Sequence, residues 1–358
     1  MHTLYSIALL GACLLAACST HPMSDQEQLA HIFSDYIGDE TPGAAVLVIH
    51  DGAKVLKGTY GMANVARKEP VRSSTNFRLA SMTKQFTAMS ILMLVDRGTL
   101  SLDESLREIF PDFPEFAGKI TIRNLLQHTS GLLDYEDFVP ADSANQVTDS
   151  EVLDILMATD STYFEPGTAF RYSNSGYAVL AMIVEKKSGQ SFAQFLKENI
   201  FDPLRMDNTV AYQQGISSVS ERALGYSVTD SGVVNTDQSP TSAVLGDGGI
   251  YSSLDGLYRW DQALYTDTLI SAELLTQAFT PNLENYGFGW RIDTYKGHTR
   301  YHHSGSTSGF RNFIQRFPDD SLTVIVLTNR AEPDVSPLGE KVADLIIDLN
   351  GEAHVDGS

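Results

Sequence analysis

The chain has 358 residues, 42% of them hydrophobic and 20% charged, values that allow a sizeable core and exclude a fibrous, low-complexity or disordered chain. Lys and Arg number 25 against 45 Asp and Glu, a formal charge of -20, so counterion release has no basic surface to draw on and a nucleic-acid partner is excluded. Two cysteines, Cys13 and Cys18, are too few for a disulfide framework.

Leu4 to Ala17 is an uncharged apolar opening, near the length of a signal-peptide core and short of the roughly 20 residues a spanning helix needs. Residues 1–17 read as an export signal. The ending Leu15-Ala16-Ala17-Cys18 resembles the lipobox of bacterial lipoproteins, although His2 and the terminal amine stand where a Lys or Arg is usual. That resemblance implies cleavage before Cys18 and its acylation, a membrane anchor and a location in the cell envelope. Residues 18–25 would be a tether, and 26–350 one folded unit.

Leu29, Ile32, Phe33, Tyr36 and Ile37 fall at helical spacing from Asp25 onward, which predicts a first helix. Gly43 to His50, then Asp51-Gly52, then Lys54 to Met62 reads as a β-hairpin. From about 67 to 248 the pattern is mostly helical, with candidates at 82–97, 121–128, 149–158, 176–188 and 191–200. A helix at 254–265 precedes strands at Tyr286 to Thr294, Thr299 to His303, Phe310 to Phe317 and Leu322 to Thr328, and a helix at 337–349 closes the chain. The expected fold class is α/β (α+β): an antiparallel β-sheet flanked by N- and C-terminal helices, with an inserted mostly helical lobe.

Three segments carry chemistry. Ser81-Met82-Thr83-Lys84 opens a predicted helix, where positions i and i+3 share a face. A lysine kept neutral by burial or a nearby cation can deprotonate that serine, and the helix start supplies backbone N–H groups. Tyr172-Ser173-Asn174 follows a Glu165-Pro166-Gly167 turn and precedes a helix, so a phenol able to relay a proton stands beside an amide able to hold a lysine and a substrate carbonyl. His302-His303-Ser304-Gly305-Ser306-Thr307-Ser308-Gly309-Phe310 is read as joining two strands, its small residues letting an extended substrate lie on a strand edge.

In this order these segments resemble the serine β-lactamase and penicillin-binding-protein superfamily, in its class C-like branch of DD-peptidases, esterases and D-amino-acid-specific hydrolases. The flanks Leu125-Leu126-Gln127-His128-Thr129-Ser130-Gly131-Leu132, Glu165-Pro166-Gly167-Thr168, Gly248-Gly249-Ile250-Tyr251-Ser252 and Tyr286-Gly287-Phe288-Gly289-Trp290 resemble that branch as well. The resemblance implies a β-lactamase/transpeptidase-like fold and a serine hydrolase with Ser81 as acylated nucleophile, Lys84 as its proton acceptor, with an ionised Tyr172 as the alternative base, and Tyr172 as the relay to the leaving group. It implies Asn174, His303, Ser304, Gly305 and Ser306 as substrate-binding residues, with the N–H groups of Ser81 and Ser306 as oxyanion donors. A small peptide, amide or ester is the expected substrate, of DD-carboxypeptidase or D-amino-acid-specific type.

His303 stands where many relatives have the Lys of a Lys-Thr-Gly triplet, so recognition of a free carboxylate should be weak near neutral pH and grow below about pH 6.5. This disfavours the alternative of a β-lactamase. A non-catalytic cell-wall peptide binder is the other alternative, opposed by the intact Ser, Lys, Tyr and Asn set. His298, His302 and His303 lack a His-Glu-x-x-His pattern or carboxylate partner, so no metal or other cofactor is expected. No Gly-x-Ser-x-Gly elbow accompanies His128, which reads as structural rather than as a general base.

Overall fold

The structure, a computed structural model, describes residues 23–352; the expected export signal and Cys18 lie outside the described residues. Ser24 caps the first helix reciprocally, its hydroxyl accepting from the Glu27 N–H while the Glu27 carboxylate accepts from the Ser24 amide. The helices that matter below are α1 (Asp25–Ile32), α2 (Lys84–Asp96), α3 (Asp149–Met157), α4 (Asn174–Ser188), α5 (Leu254–Ala263) and α6 (Ser336–Glu352).

Six strands form one antiparallel sheet: β1 (Ala44–His50), β2 (Ala53–Tyr60), β3 (Arg291–Tyr295), β4 (His298–Thr307), β5 (Phe310–Phe317) and β6 (Leu322–Thr328), in the spatial order β3-β4-β5-β6-β1-β2. The two ends of the chain close it, with β1 paired to β6 from Ala44↔Thr328 to His50↔Leu322. The continuous apolar run of β1 has a physical reason. Ala44, Val46 and Val48 face a cluster with Leu29 of α1, Phe33 just after it, and Val342 and Ala343 of α6, while Ala45, Leu47 and Ile49 face the helical side of the molecule. A strand covered on both faces has no polar alternation to show.

Buried Asn329, just after β6, ties the sheet to its neighbours. Its Oδ1 accepts from the Gly43 N–H at 2.6 Å and its Nδ2 donates to the carbonyls of Met62, Ala63 and Leu224.

Four expectations need correction. The first helix stops at Ile32 and gives way to a 3-10 turn at Ser34–Tyr36. The strand expected from Tyr286 begins at Arg291, because Gly287 N–H bonds back to the Trp290 carbonyl and Gly289 adopts φ 77° in the intervening turn. β4 runs through Gly305 and Ser306 to Thr307, so these residues form a strand edge rather than a connection. The mostly helical segment also holds small β-elements: a three-stranded sheet of Phe77–Arg78, Ile250–Ser252 and Val210–Ala211, and a hairpin of Tyr226–Thr229 with Gly232–Asn235.

Candidate active site

Ser81 lies on a 3-10 turn, Ala80–Thr83, that runs directly into α2. Ala80 is held at φ 51°, a conformation of order 1–3 kcal/mol above the ordinary wells that persists only where surrounding structure enforces it. The enforcement is visible: a Cβ on Gly305 of β4 would meet the Leu79 carbonyl at 2.1 Å, so glycine there lets the strand press against the turn.

One helical turn later, the Lys84 side chain is fully buried. Its Nζ lies 3.2 Å from Ser81 Oγ, 2.8 Å from Asn174 Oδ1 and 2.9 Å from the Asp247 carbonyl, three polar contacts that hold it beside the serine. Nζ also sits 4.9 Å from the Tyr172 ring centre and 5.4 Å from that of Tyr177. The Tyr172 hydroxyl is buried and, among the described residues, has no hydrogen-bond partner, an unusual state for a buried polar group. Asn174 opens α4, capped by Ser173, and its Nδ2 donates to Glu136 Oε1 at 2.6 Å.

A small cavity of about 130 Å³ meets Ser81; its walls include Asn174, Glu136, Asp247, Arg78, Ser306 and Thr307. Ser306 thus faces Ser81 across the cavity. His303, Ser304 and Gly305 do not line it: Ser304 is exposed, Gly305 packs on the Leu79 carbonyl, and His303, on the same strand face as Gly305, is buried against the rings of Tyr172 and Tyr286.

The His303 ring is engaged at both nitrogens, Nδ1 donating to the Ser304 carbonyl at 2.7 Å and Nε2 accepting from the Tyr286 hydroxyl at 2.9 Å. Burial pushes its pKa down to about 3. The carboxylate preference expected to grow below about pH 6.5 has no charge to drive it, and that expectation is corrected. His128, 1% exposed, accepts from the Ser173 N–H through Nδ1 at 3.0 Å; burial holds it well below the usual histidine range, so it orients the Tyr-Ser-Asn segment. The Arg291 guanidinium stands over the rings of Tyr172 and Tyr286 at 5.9 and 5.6 Å. His298 and His302 pair with Asp320 and Asp293 at 2.8 and 3.3 Å, carboxylate partners that spacing in the sequence did not reveal.

The acidic floor of the site went unnoticed in the sequence. Asp247, whose carbonyl holds Lys84, accepts from Tyr135 Oη at 3.0 Å, and burial raises its carboxyl to about 6. Asp149 at the start of α3 accepts from the N–H groups of Leu245 and Gly246 at 2.7 and 2.9 Å, fixing the turn that carries Asp247; burial raises it to about 7. The available signal was adjacency: Asp247 directly precedes the Gly248-Gly249 block, and Asp134-Tyr135-Glu136-Asp137 follows the Leu125 to Leu132 block after Leu133 alone.

Comparison with known proteins agrees with this geometry. Residues 29–348 match the family model described as Beta-lactamase. Penicillin-binding protein 4* of Bacillus subtilis is 36% identical over 308 residues, 80% of this chain and 68% of that protein. A D-aminopeptidase of Gluconobacter oxydans is 28% identical across 80% of this chain, which spans only 56% of that relative's length. Among solved structures, the D-amino acid amidase of Ochrobactrum anthropi SV3 superposes with a TM-score of 0.79 at 25% identity, over 91% of this chain and 100% of the amidase.

Proposed function

The chain belongs to the beta-lactamase family and is a serine hydrolase, and from that premise we propose that it cleaves peptide, amide or ester substrates through an acyl-enzyme on Ser81, as a DD-carboxypeptidase-like or D-amino-acid-specific hydrolase of the cell envelope. The observation that carries this reading is the 3.2 Å contact between buried Lys84 Nζ and Ser81 Oγ, a nucleophile and base within hydrogen-bond reach.

In acylation, Ser81 Oγ bonds to the substrate carbonyl carbon while its proton passes to Lys84. The backbone N–H groups of Ser81 and Ser306 serve as donors to the oxyanion. Tyr172, whose hydroxyl has no partner among the described residues, delivers the proton to the departing amine or alkoxide. Asn174 keeps the lysine aimed at Ser81. Water then attacks the ester by the reverse relay and frees the acid. The named activities of the aminopeptidase and amidase relatives support amide substrates of D-configuration, and neutral His303 argues against efficient β-lactam turnover. Acylated Cys18 would anchor the enzyme to an envelope membrane.

The test is hydrolysis of paired D- and L-alanyl p-nitroanilides by the wild-type protein and Ser81→Ala. Turnover of the D form that is lost in Ser81→Ala is expected. Equal turnover by both proteins would overturn the reading and restore that of a non-catalytic peptide binder.

A further inference from the structure

The stretch of backbone that backs Lys84 is gripped by side chains from distant parts of the chain. Leu245–Gly248 is a single buried helical turn. From one side α2 reaches it with two donors on one helix face: Lys84 Nζ donates to the Asp247 carbonyl at 2.9 Å, and Thr87 Oγ1 donates to the Gly246 carbonyl at 2.7 Å. From the other side, buried Asp149 at the start of α3 accepts from the Leu245 N–H through Oδ2 at 2.7 Å and from the Gly246 N–H through Oδ1 at 2.9 Å. A third side is closed by α4, since a Cβ on Gly246 would meet the Tyr177 carbonyl at 2.3 Å and Ala181 Cβ at 2.7 Å. Arg78 holds the end of the turn, donating through Nε to the Gly248 carbonyl at 3.2 Å and through Nη2 to the Ser242 carbonyl at 2.9 Å; its Nη1 is buried and, among the described residues, has no partner.

We propose, resting on the acyl-enzyme reading above, that Asp149 is a positioning residue for the base: by holding the Leu245–Gly248 turn against α2, it sets the Asp247 carbonyl that aims Lys84 Nζ at Ser81. Among the described residues no hydrogen bond joins Asp149 to Ser81 or Lys84, so it acts through the turn. Ionised, both of its oxygens accept from the two N–H groups; protonated, one becomes a hydroxyl whose hydrogen competes with the N–H it faces. Burial brings that change to about pH 7. The groups that face Asp149 are Asp247, whose carboxyl burial raises to about 6, and the Tyr135 phenol, with Lys84 and Arg78 beyond the turn. On the other sides α4 presents a backbone carbonyl and Ala181, and Glu151 of α3 is bonded to Thr148. The Lys84–Ser81 contact is long at 3.2 Å, so a small shift of the carbonyl breaks it, and a misplacement of about 1 Å costs on the order of 10²-fold in rate.

The experiment follows kcat/KM for p-nitrophenyl acetate against pH in the wild-type protein, Asp149→Asn and Thr87→Val, with Ser81→Ala as control and circular-dichroism melts of each protein. Asp149→Asn keeps one acceptor oxygen and sets an amide against the second N–H, the arrangement of the protonated acid at every pH. The ratio of wild-type to Asp149→Asn kcat/KM is expected to rise about tenfold or more between about pH 5.5 and 8.5. Stability moves the other way, because the contribution of a carboxyl with a raised folded pKa is lost as pH rises. A merely structural role therefore gives a ratio that falls or stays flat over that interval, and either result overturns the proposal. Thr87→Val releases the same turn from the α2 side without a titrating group, so its loss of rate should be the same at every pH. Should Asp149→Asn fail to fold, wild-type rates in Thr87→Val overturn the proposal on their own. Failure of the underlying reading looks different: Ser81→Ala would then hydrolyse the ester as fast as the wild type, and the proposal would fall with it.

Discussion

The Tyr286 hydroxyl and His303 Nε2 lie 2.9 Å apart with both groups buried, and this contact fixes the histidine as a neutral acceptor beside the catalytic cleft. With its pKa at about 3, His303 gains no charge across the range in which an ordinary histidine titrates. The ratio of kcat/KM for otherwise matched substrates with and without a free carboxylate should therefore be flat between about pH 5 and 8. A ratio that climbs as pH falls through 6.5 would contradict the neutral assignment.

Tyr172→Phe separates catalysis from stability. Its hydroxyl has no hydrogen-bond partner among the described residues, so removing it leaves nothing unsatisfied and relieves a buried polar group; thermal unfolding should be unchanged or slightly raised. The rate should fall by about 10²- to 10⁴-fold, the usual contribution of a positioned acid or base. Circular-dichroism melts alongside steady-state kinetics check both halves.

Lys84→Met should abolish measurable acylation while keeping a side chain of comparable reach in a fully buried position. Loss of the base is expected to lower kcat/KM by at least about 10²-fold. Stopped-flow release of p-nitrophenol from an activated ester reads the acylation step directly.

The Asp149 carboxyl gives a pH signature to stability. Its folded pKa of about 7 is raised by burial above the ordinary 3.8, so the folded state holds a proton that the unfolded chain has released. The contribution of this group to stability is complete below about pH 4 and lost as pH rises through 7. His302, pushed down to about 4 by burial, and His303 act with the opposite sign: the unfolded chain binds their protons first, so their contribution is lost as pH falls below about 6.5. Comparison of Asp149→Asn with the wild type isolates the carboxyl. The destabilisation caused by the substitution should shrink by an amount on the order of 3 kcal/mol between about pH 4 and 8, as read by urea unfolding at each pH.

Arg316→Met tests the structural core behind the sheet. Arg316 Nε donates to Asp261 Oδ1 at 2.7 Å, with the two side chains 2% and 0% exposed. Removing the arginine leaves an uncompensated buried carboxylate, for an expected loss of about 3–5 kcal/mol. Replacing both partners by apolar residues should recover much of it, measured by the same unfolding assay.

The sheet and the Ser81–Lys84 contact were legible in the sequence for local reasons. Val46 to Ile49 and Val324 to Leu327 are apolar runs bounded by turns, and Ser81 and Lys84 lie on one helix face whatever the rest of the chain does. What stayed hidden depends on contacts between distant segments. Asp149 holds a turn 96 residues away through Leu245, and Glu136 meets Asn174 across 38 residues; neither pairing has a periodicity to betray it. The fate of His303 was hidden for the same reason. Its character is set by Tyr286 and by enclosure, whereas the sequence offers only the ordinary titration of an imidazole.

Treatment of the protein with a small neutral fluorophosphonate, followed by intact and peptide mass spectrometry over time, measures the central claim most directly. A single adduct on the peptide carrying Ser81, absent in Ser81→Ala and markedly slower to form in Lys84→Met, is the expected result. An adduct on another residue, or labelling of Ser81→Ala at the wild-type rate, would contradict the assignment of Ser81 as the Lys84-activated nucleophile.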